Sequence, residues 1–151
     1  MTLLNKLRRL APILIAEDDE EDRELIKEAF DECGLSNDII FVNDGVELMD
    51  YLQRVGKYSN KQEYPFPGII LLDLNMPKKD GRQVLLEMKA DNELRKIPVT
   101  ILTTSKSTED VLKSYRLGVN SFIIKPVTFD ALVNVLNMIG KYWFEIVELP
   151  L

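Results

Sequence analysis

The run Ile69-Ile70-Leu71-Leu72-Asp73-Leu74-Asn75-Met76-Pro77 decides the fold. Its first four residues are aliphatic without polar alternation, and they break on a carboxylate. Continuous apolar character over strand length suits a strand covered on both faces, as in a parallel sheet with helices above and below. Outward from this stretch the same unit recurs. Apolar runs at 13–16, 39–42, 99–102 and 122–124 alternate with stretches of helical period at 22–33, 46–55, 81–90, 110–117 and 129–139. Five strands alternating with five helices predict an α/β fold built on a doubly wound parallel sheet.

The helical stretches carry apolar stripes that fit such a sheet: Leu25, Ile26, Ala29, Phe30 and Cys33 on the first, and Leu132, Val135, Leu136 and Ile139 on the last. These read as core. Gly34, Gly56, Gly118 and Gly140 fall where the first, second, fourth and fifth helices should end. The strand and helix pattern fills residues 11–141, leaving an extension at 1–10 and a tail at 142–151. In the extension Leu3, Leu4, Leu7 and Leu10 are spaced as on a short amphipathic helix. No second hydrophobic unit follows the fifth helix, so no attached output domain is expected.

Composition narrows the chemistry. A chain of 151 residues with 46% apolar content is long enough to bury roughly 70% of its unfolded surface without a staple. Cys33 is the single cysteine, so no intrachain disulfide is expected. No segment reads as a secretory leader, and no apolar run approaches the roughly 20 residues of a membrane span. A cytoplasmic location is the expectation. A net charge of −6 and a pI near 4.8 argue against nucleic acid as a partner. With no histidine in the chain, Ser-His-Asp catalysis, Cys-His catalysis and His-ligated zinc are excluded. Chemistry must run on carboxylates, lysine, hydroxyls and a metal.

In open parallel sheets, ligands gather beyond the carboxyl ends of the strands. Glu17, Asp18 and Asp19 follow the first strand, Asp73 the third, Thr103 and Thr104 the fourth, and Lys125-Pro126 the fifth. If strands one, three, four and five are neighbours, these groups converge. Several acids in one pocket repel one another and call for a cation. An all-oxygen donor set selects a hard ion, and one with few carboxylates suits Mg²⁺. Each residue also has a plainer reading: the acids after the first strand, Asp19 above all, as helix caps; Asp73 as a cap near Gly81; Thr103 as a strand-end hydroxyl; Lys125 as a surface charge.

The ordered set Ile13-Leu14-Ile15-Ala16-Glu17-Asp18-Asp19, Leu72-Asp73-Leu74-Asn75-Met76-Pro77, Leu102-Thr103-Thr104-Ser105 and Phe122-Ile123-Ile124-Lys125-Pro126 resembles the response-regulator receiver family over about residues 11–140. The resemblance implies a (βα)5 flavodoxin-like fold with strand order 2-1-3-4-5. It implies that Asp73 accepts a phosphoryl group from a sensor histidine kinase or small phospho-donor. It implies that Asp18, Asp73 and the Asn75 carbonyl bind Mg²⁺, with Glu17 acting through a metal-bound water. Lys125 is then the partner of the phosphoryl oxygens, Thr103 moves in to donate to one of them, and Phe122 turns inward as Thr103 leaves its resting place. Two or three charge-assisted bonds of roughly 1.5–3 kcal/mol each cover the about 5.5 kcal/mol needed to invert a two-state equilibrium. Glu17 departs from the commoner Asp, Thr104 is larger than the small residue often found there, and Asn75 and Ser105 occupy positions that tune dephosphorylation.

Two further segments, the long connection at 56–67 and the aromatic tail with Tyr142, Trp143 and Phe144, resemble those of stand-alone response regulators that accompany cyanobacterial phytochromes. That subgroup implies a homodimer with the tail aromatics as candidate contacts, a phytochrome-type kinase and an unknown downstream protein. The competing reading for Trp143 and Phe144 is that they seal the end of the last helix. Two other functions compete. A haloacid-dehalogenase-type phosphatase requires an acid where Asn75 stands. A scaffold that no longer signals by phosphate would leave the carboxylates idle.

Overall fold

Short strands of four or five residues stack side by side, and the three central ones, β1 (Ile13–Ala16), β3 (Ile69–Leu72) and β4 (Val99–Thr103), bury both of their faces. The computed structural model describes residue 3 and residues 11–150. The chain alternates β1 (Ile13–Ala16), α1 (Glu20–Cys33), β2 (Ile39–Val42), α2 (Gly45–Gln53), β3 (Ile69–Leu72), α3 (Gly81–Ala90), β4 (Val99–Thr103), α4 (Thr108–Arg116), β5 (Ser121–Ile124) and α5 (Phe129–Lys141). All strands run parallel in the order β2-β1-β3-β4-β5, with Ile15 level with Leu71 and Leu72 level with Ile101. The expected doubly wound sheet and its strand order are therefore present. The amphipathic reading of 2–10 lies outside the described residues apart from Leu3, which is helical and exposed.

Alternation along each strand splits the core in two. Leu14, Ile70, Leu72 and Ile101 face one layer, filled by Leu48, Leu52, Val84 and Met88. Ile13, Ile15, Ile69 and Leu71 face the other, filled by Ile26, Phe30, Leu136 and Ile139. Each α-helix opens on a side-chain cap, from Asp19, Asp44, Asp80, Ser107 and Thr128 in turn. These caps satisfy backbone N–H groups that the first turn leaves unpaired. The reading of Asp19 as a cap is correct: its carboxylate accepts from the Asp22 N–H. Asp80, not Asp73, caps the helix near Gly81.

Four expectations need correction. Gly34 does close α1 in the left-handed region, but α2 is closed by Arg54 at φ 59°, and Gly56 instead opens a short 3₁₀ turn, Gly56–Tyr58. Gly140 ends nothing. It lies inside α5, where a Cβ would press to 3.3 Å from Leu35, so its small size serves helix packing. The helix then widens into a π-helical turn, Tyr142–Ile146. Leu25, assigned to the core stripe, is exposed. The fifth strand, grouped with those covered on both faces, is a half-buried edge whose Ile124 is exposed.

The connection at 56–67 folds onto an aromatic cluster. Tyr51, Tyr58 and Tyr64 pack with ring centroids 4.8–5.8 Å apart. The Tyr51 hydroxyl donates to the Pro65 carbonyl at 2.7 Å, and Arg54 donates to the Tyr64 carbonyl while lying over the Phe66 ring. Burial pushes the Tyr51 phenol up to about 12, despite the opposing charge of Arg54.

Candidate phosphoacceptor site

The register of β1, β3, β4 and β5 brings their carboxyl ends to one edge, as the sequence required. Asp73 follows β3 with its N–H donated to the Ala16 carbonyl at 3.1 Å, and Lys125 follows β5 with its N–H donated to the Thr103 carbonyl at 2.8 Å. Backbone ladders therefore fix where these side chains start. Gly81 permits the close return of the loop after Asp73: a Cβ there would lie 2.5 Å from the Asp73 carbonyl oxygen. At the next turn Gly45 donates its N–H to the Lys79 carbonyl at 2.9 Å, and a Cβ on Gly45 would lie 2.1 Å from that oxygen. The loop that carries Asn75 is thus pinned at both ends by glycines that let backbones touch.

The side chains form a continuous network. Thr103, fully buried, donates its hydroxyl to Asp73 Oδ1 at 2.8 Å. The Asn75 N–H approaches the same oxygen at 3.3 Å. Lys125 Nζ donates to Glu17 Oε2 at 2.8 Å, to Asp22 Oδ2 at 2.9 Å and to Asp73 Oδ2 at 3.3 Å. The other oxygen of Glu17 accepts from the Asp19 N–H at 3.2 Å. Glu17, Asp18 and Asp73 each place a carboxylate oxygen so that the three lie within 4.8 Å of one another. Glu17 and Asp73 are buried there and Asp18 is exposed. Buried, close-set carboxylate oxygens open on one side fit a hard divalent cation that keeps some of its water.

Electrostatics follow from burial. Desolvation pushes the Glu17 carboxyl up to about 7; the hydrogen bond and charge of Lys125 oppose this, and the Asp73 charge adds to it. Burial works against the Lys125 ammonium, but its bonds to Glu17 and Asp22 and the charges of Glu17 and Asp73 outweigh that and raise it. Lys125 is therefore a firmly held cation.

Glu17, Asp18, Asp73, Asn75, Thr103 and Lys125 lie together at this edge, whereas Phe122 sits within β5 level with Ile101 and the tail aromatics follow α5, with Phe144 beside Gly68 just before β3. Thr103 was expected to reach the site only after phosphorylation, yet it is already bonded to Asp73, because an ionised carboxylate is itself a strong acceptor. Phe122 is half-buried and packs against the core layer of Leu72 and Ile101. Of the tail aromatics, Tyr142 is exposed, Trp143 is half-buried, and Phe144 is buried within its own chain, where a Cβ on Gly68 would meet its ring at 2.9 Å.

Two groups escaped the sequence reading. Asp22 reaches Lys125 from the first turn of α1; its place there, on a helix whose side chains lean toward the N-terminus, was the available signal. The second is a frame across α3 and α4. Arg82 grips Asp110 through two bonds, from Nε at 3.0 Å and from an Nη at 2.8 Å, and the Ser105 hydroxyl donates to Asp110 at 2.7 Å. The Arg82 and Ser105 bonds hold the Asp110 carboxyl below its usual range.

Comparison with known proteins agrees with this geometry. The family model for the response regulator receiver domain matches residues 13–137. The chain is 41% identical to response regulator Rcp1 of Synechocystis sp. over 138 residues, covering 91% of this chain and 92% of Rcp1. Among solved structures it is similar to the phosphorylated cyanobacterial phytochrome response regulator RcpA, with TM-score 0.86 and 39% identity over 94% of this chain and 99% of that one. It is likewise similar to the Mn²⁺-bound form of Rcp1, with TM-score 0.83 and 40% identity over 93% of this chain and 99% of that one.

Proposed function

Since the chain belongs to the response regulator receiver family, we propose that it is a phosphorylation switch in which Asp73 is the phosphoryl acceptor. The observation that carries this is the convergence of Thr103 and Lys125 on the two oxygens of one buried carboxylate. Asp73 attacks phosphorus through a carboxylate oxygen, a new P–O bond forms, and the donor's leaving group departs with the electron pair of the bond it loses. Asp18, Asp73 and the Asn75 carbonyl would hold Mg²⁺ directly and Glu17 through a bound water, and the ion would supply neutralisation of the charge on the phosphoryl oxygens. That the similar Rcp1 was solved in an Mn²⁺-bound form supports a divalent ion for this chain. Lys125 pairs with the phosphoryl oxygens, and Thr103 transfers its hydroxyl bond from the carboxylate to the new group. That group's charge of about −2 makes it the stronger acceptor. Phe122 transmits the change to the face of α4, β5 and α5.

The donor is a sensor histidine kinase, as the family implies, and of phytochrome type, as the similarity to RcpA and Rcp1 supports. The signal passes to a downstream protein. The protein works in the cytoplasm; among the described residues no helix is long and apolar enough to cross a membrane. Self-association uses the face of α5 and the tail, where Met138, Tyr142 and Ile146 are exposed and Trp143 packs edge-on against Tyr142. Phe144 contributes from inside by anchoring the turn.

The test is beryllofluoride, a phosphoryl mimic, added with Mg²⁺ while amide resonances are followed. Shifts centred on Thr103, Asn75 and Lys125 in the wild type and their absence in Asp73→Asn are expected. Equal shifts in both proteins would refute Asp73 as acceptor.

A further inference from the structure

Lys125 has three N–H bonds to give and gives its shortest two to Glu17 and Asp22, not to Asp73. Glu17 and Asp73 are almost fully buried, while the Asp22 side chain keeps 36% of its surface exposed. Asp22 therefore holds the lysine from the solvent side. It also stands on the wall of an open cleft with Leu25, Thr104, Lys125, Pro126 and Val127.

Resting on the reading of Asp73 as acceptor, we propose that Asp22 is a positioning residue: it competes with the phosphoryl group for Lys125 and sets how tightly the site takes and keeps a phosphoryl group. The argument is electrostatic. Lys125 is the single cation bonded to Asp73 among the described residues, and it is shared with two other carboxylates. When Asp73 becomes an acyl phosphate, Lys125 gains a stronger anion on one side, and turning fully toward it means releasing Asp22. Glu17 cannot yield as readily, because its release would leave a buried carboxylate without its cation. Asp22 can, because water replaces what it loses. As a partly exposed acid bonded to Lys125, it also repels anionic donors near the site.

The experiment uses acetyl phosphate and Mg²⁺ with the full chain. The Asp73 oxygen bonds to phosphorus and acetate leaves with the electron pair. Phosphorylation rate against donor concentration is measured for wild type, Asp22→Asn, Asp22→Glu and Glu21→Gln, followed by decay of the phosphorylated form after donor removal. Glu21 is exposed one residue away, so its variant removes the same charge without touching Lys125.

Asp22→Asn is expected to lower the half-saturating donor concentration and slow the decay, each by roughly two- to fivefold, the range set by a partly exposed ion pair. Asp22→Glu should stay near wild type, and Glu21→Gln should show neither change. Thermal unfolding of each variant checks that the fold is intact. A result in which Asp22→Asn matches Glu21→Gln, or phosphorylates more slowly than wild type, overturns the proposal. A wild type that takes no phosphoryl group overturns the acceptor reading, and this proposal with it.

Discussion

Glu17 carries the clearest pH signature of any residue in the site. Its carboxyl titrates ordinarily near 4.5 and in the fold near 7, chiefly through desolvation. Between those values the native chain binds more protons here than the unfolded chain, so the contribution of this group to stability falls as pH rises and is lost above about 7. In the absence of divalent cations, Glu17→Gln should therefore raise the Tm relative to wild type at about pH 8 and do so much less at about pH 5. Paired thermal melts check this; a benefit that shrinks with rising pH would contradict it. A cation favours the ionised form, so Mg²⁺ should bind more tightly at about pH 8 than at about pH 6 and release protons on binding. Calorimetry in buffers of different ionisation enthalpy reads that release. Acids, hydroxyl and lysine at strand ends were legible in the sequence because each directly follows an apolar run. Asp22 was not: its place in the first turn of α1 was readable, but its contact with Lys125 depends on how that turn sits over the sheet, which no spacing along the chain expresses.

The last helix and its tail divide into parts with opposite roles. Phe144 is buried with Leu149 against Gly68 and Ala11, so Phe144→Ala should cost about 3–5 kcal/mol in denaturant unfolding. Tyr142 is half-exposed, and Tyr142→Ala should change monomer stability by only about 0.5 kcal/mol while weakening self-association, read by light scattering across a dilution series. Equal destabilisation by the two would remove the distinction. Between α3 and α4, the Arg82–Asp110 pair is partly exposed, so a double-mutant cycle should give a coupling of about 1 kcal/mol or less. Helix starts were readable from Asp19, Asp44, Asp80, Ser107 and Thr128 because capping is local. The end of α5 was not: Gly140 looks like a terminator until Leu35, distant in sequence, is seen packed against it. The course of residues 56–67 was hidden for the same reason, since it is set by Tyr51, Tyr58 and Tyr64 meeting across the loop.

For the molecule as a whole, strand order converts a sequence pattern into a site. With β1 between β2 and β3, and β4 and β5 outward of β3, the ends of β1, β3, β4 and β5 bring Glu17, Asp18, Asp73, Thr103 and Lys125 within hydrogen-bond or ligand reach of one another. The two core layers flank that sheet on both sides, and α4, which buries only Ser114 among its residues, is the α-helix least buried against them. The proposed switch at Thr103 would thus meet a lightly packed helix soon after the strand that carries it. The central claim, that Asp73 takes the phosphoryl group, is tested most directly by incubating the protein with a small phospho-donor and Mg²⁺ and recording intact mass for wild type and Asp73→Asn. The account predicts a gain of one phosphoryl group in the wild type alone. No gain, under conditions where a control receiver is modified, or an equal gain in the variant, would contradict it.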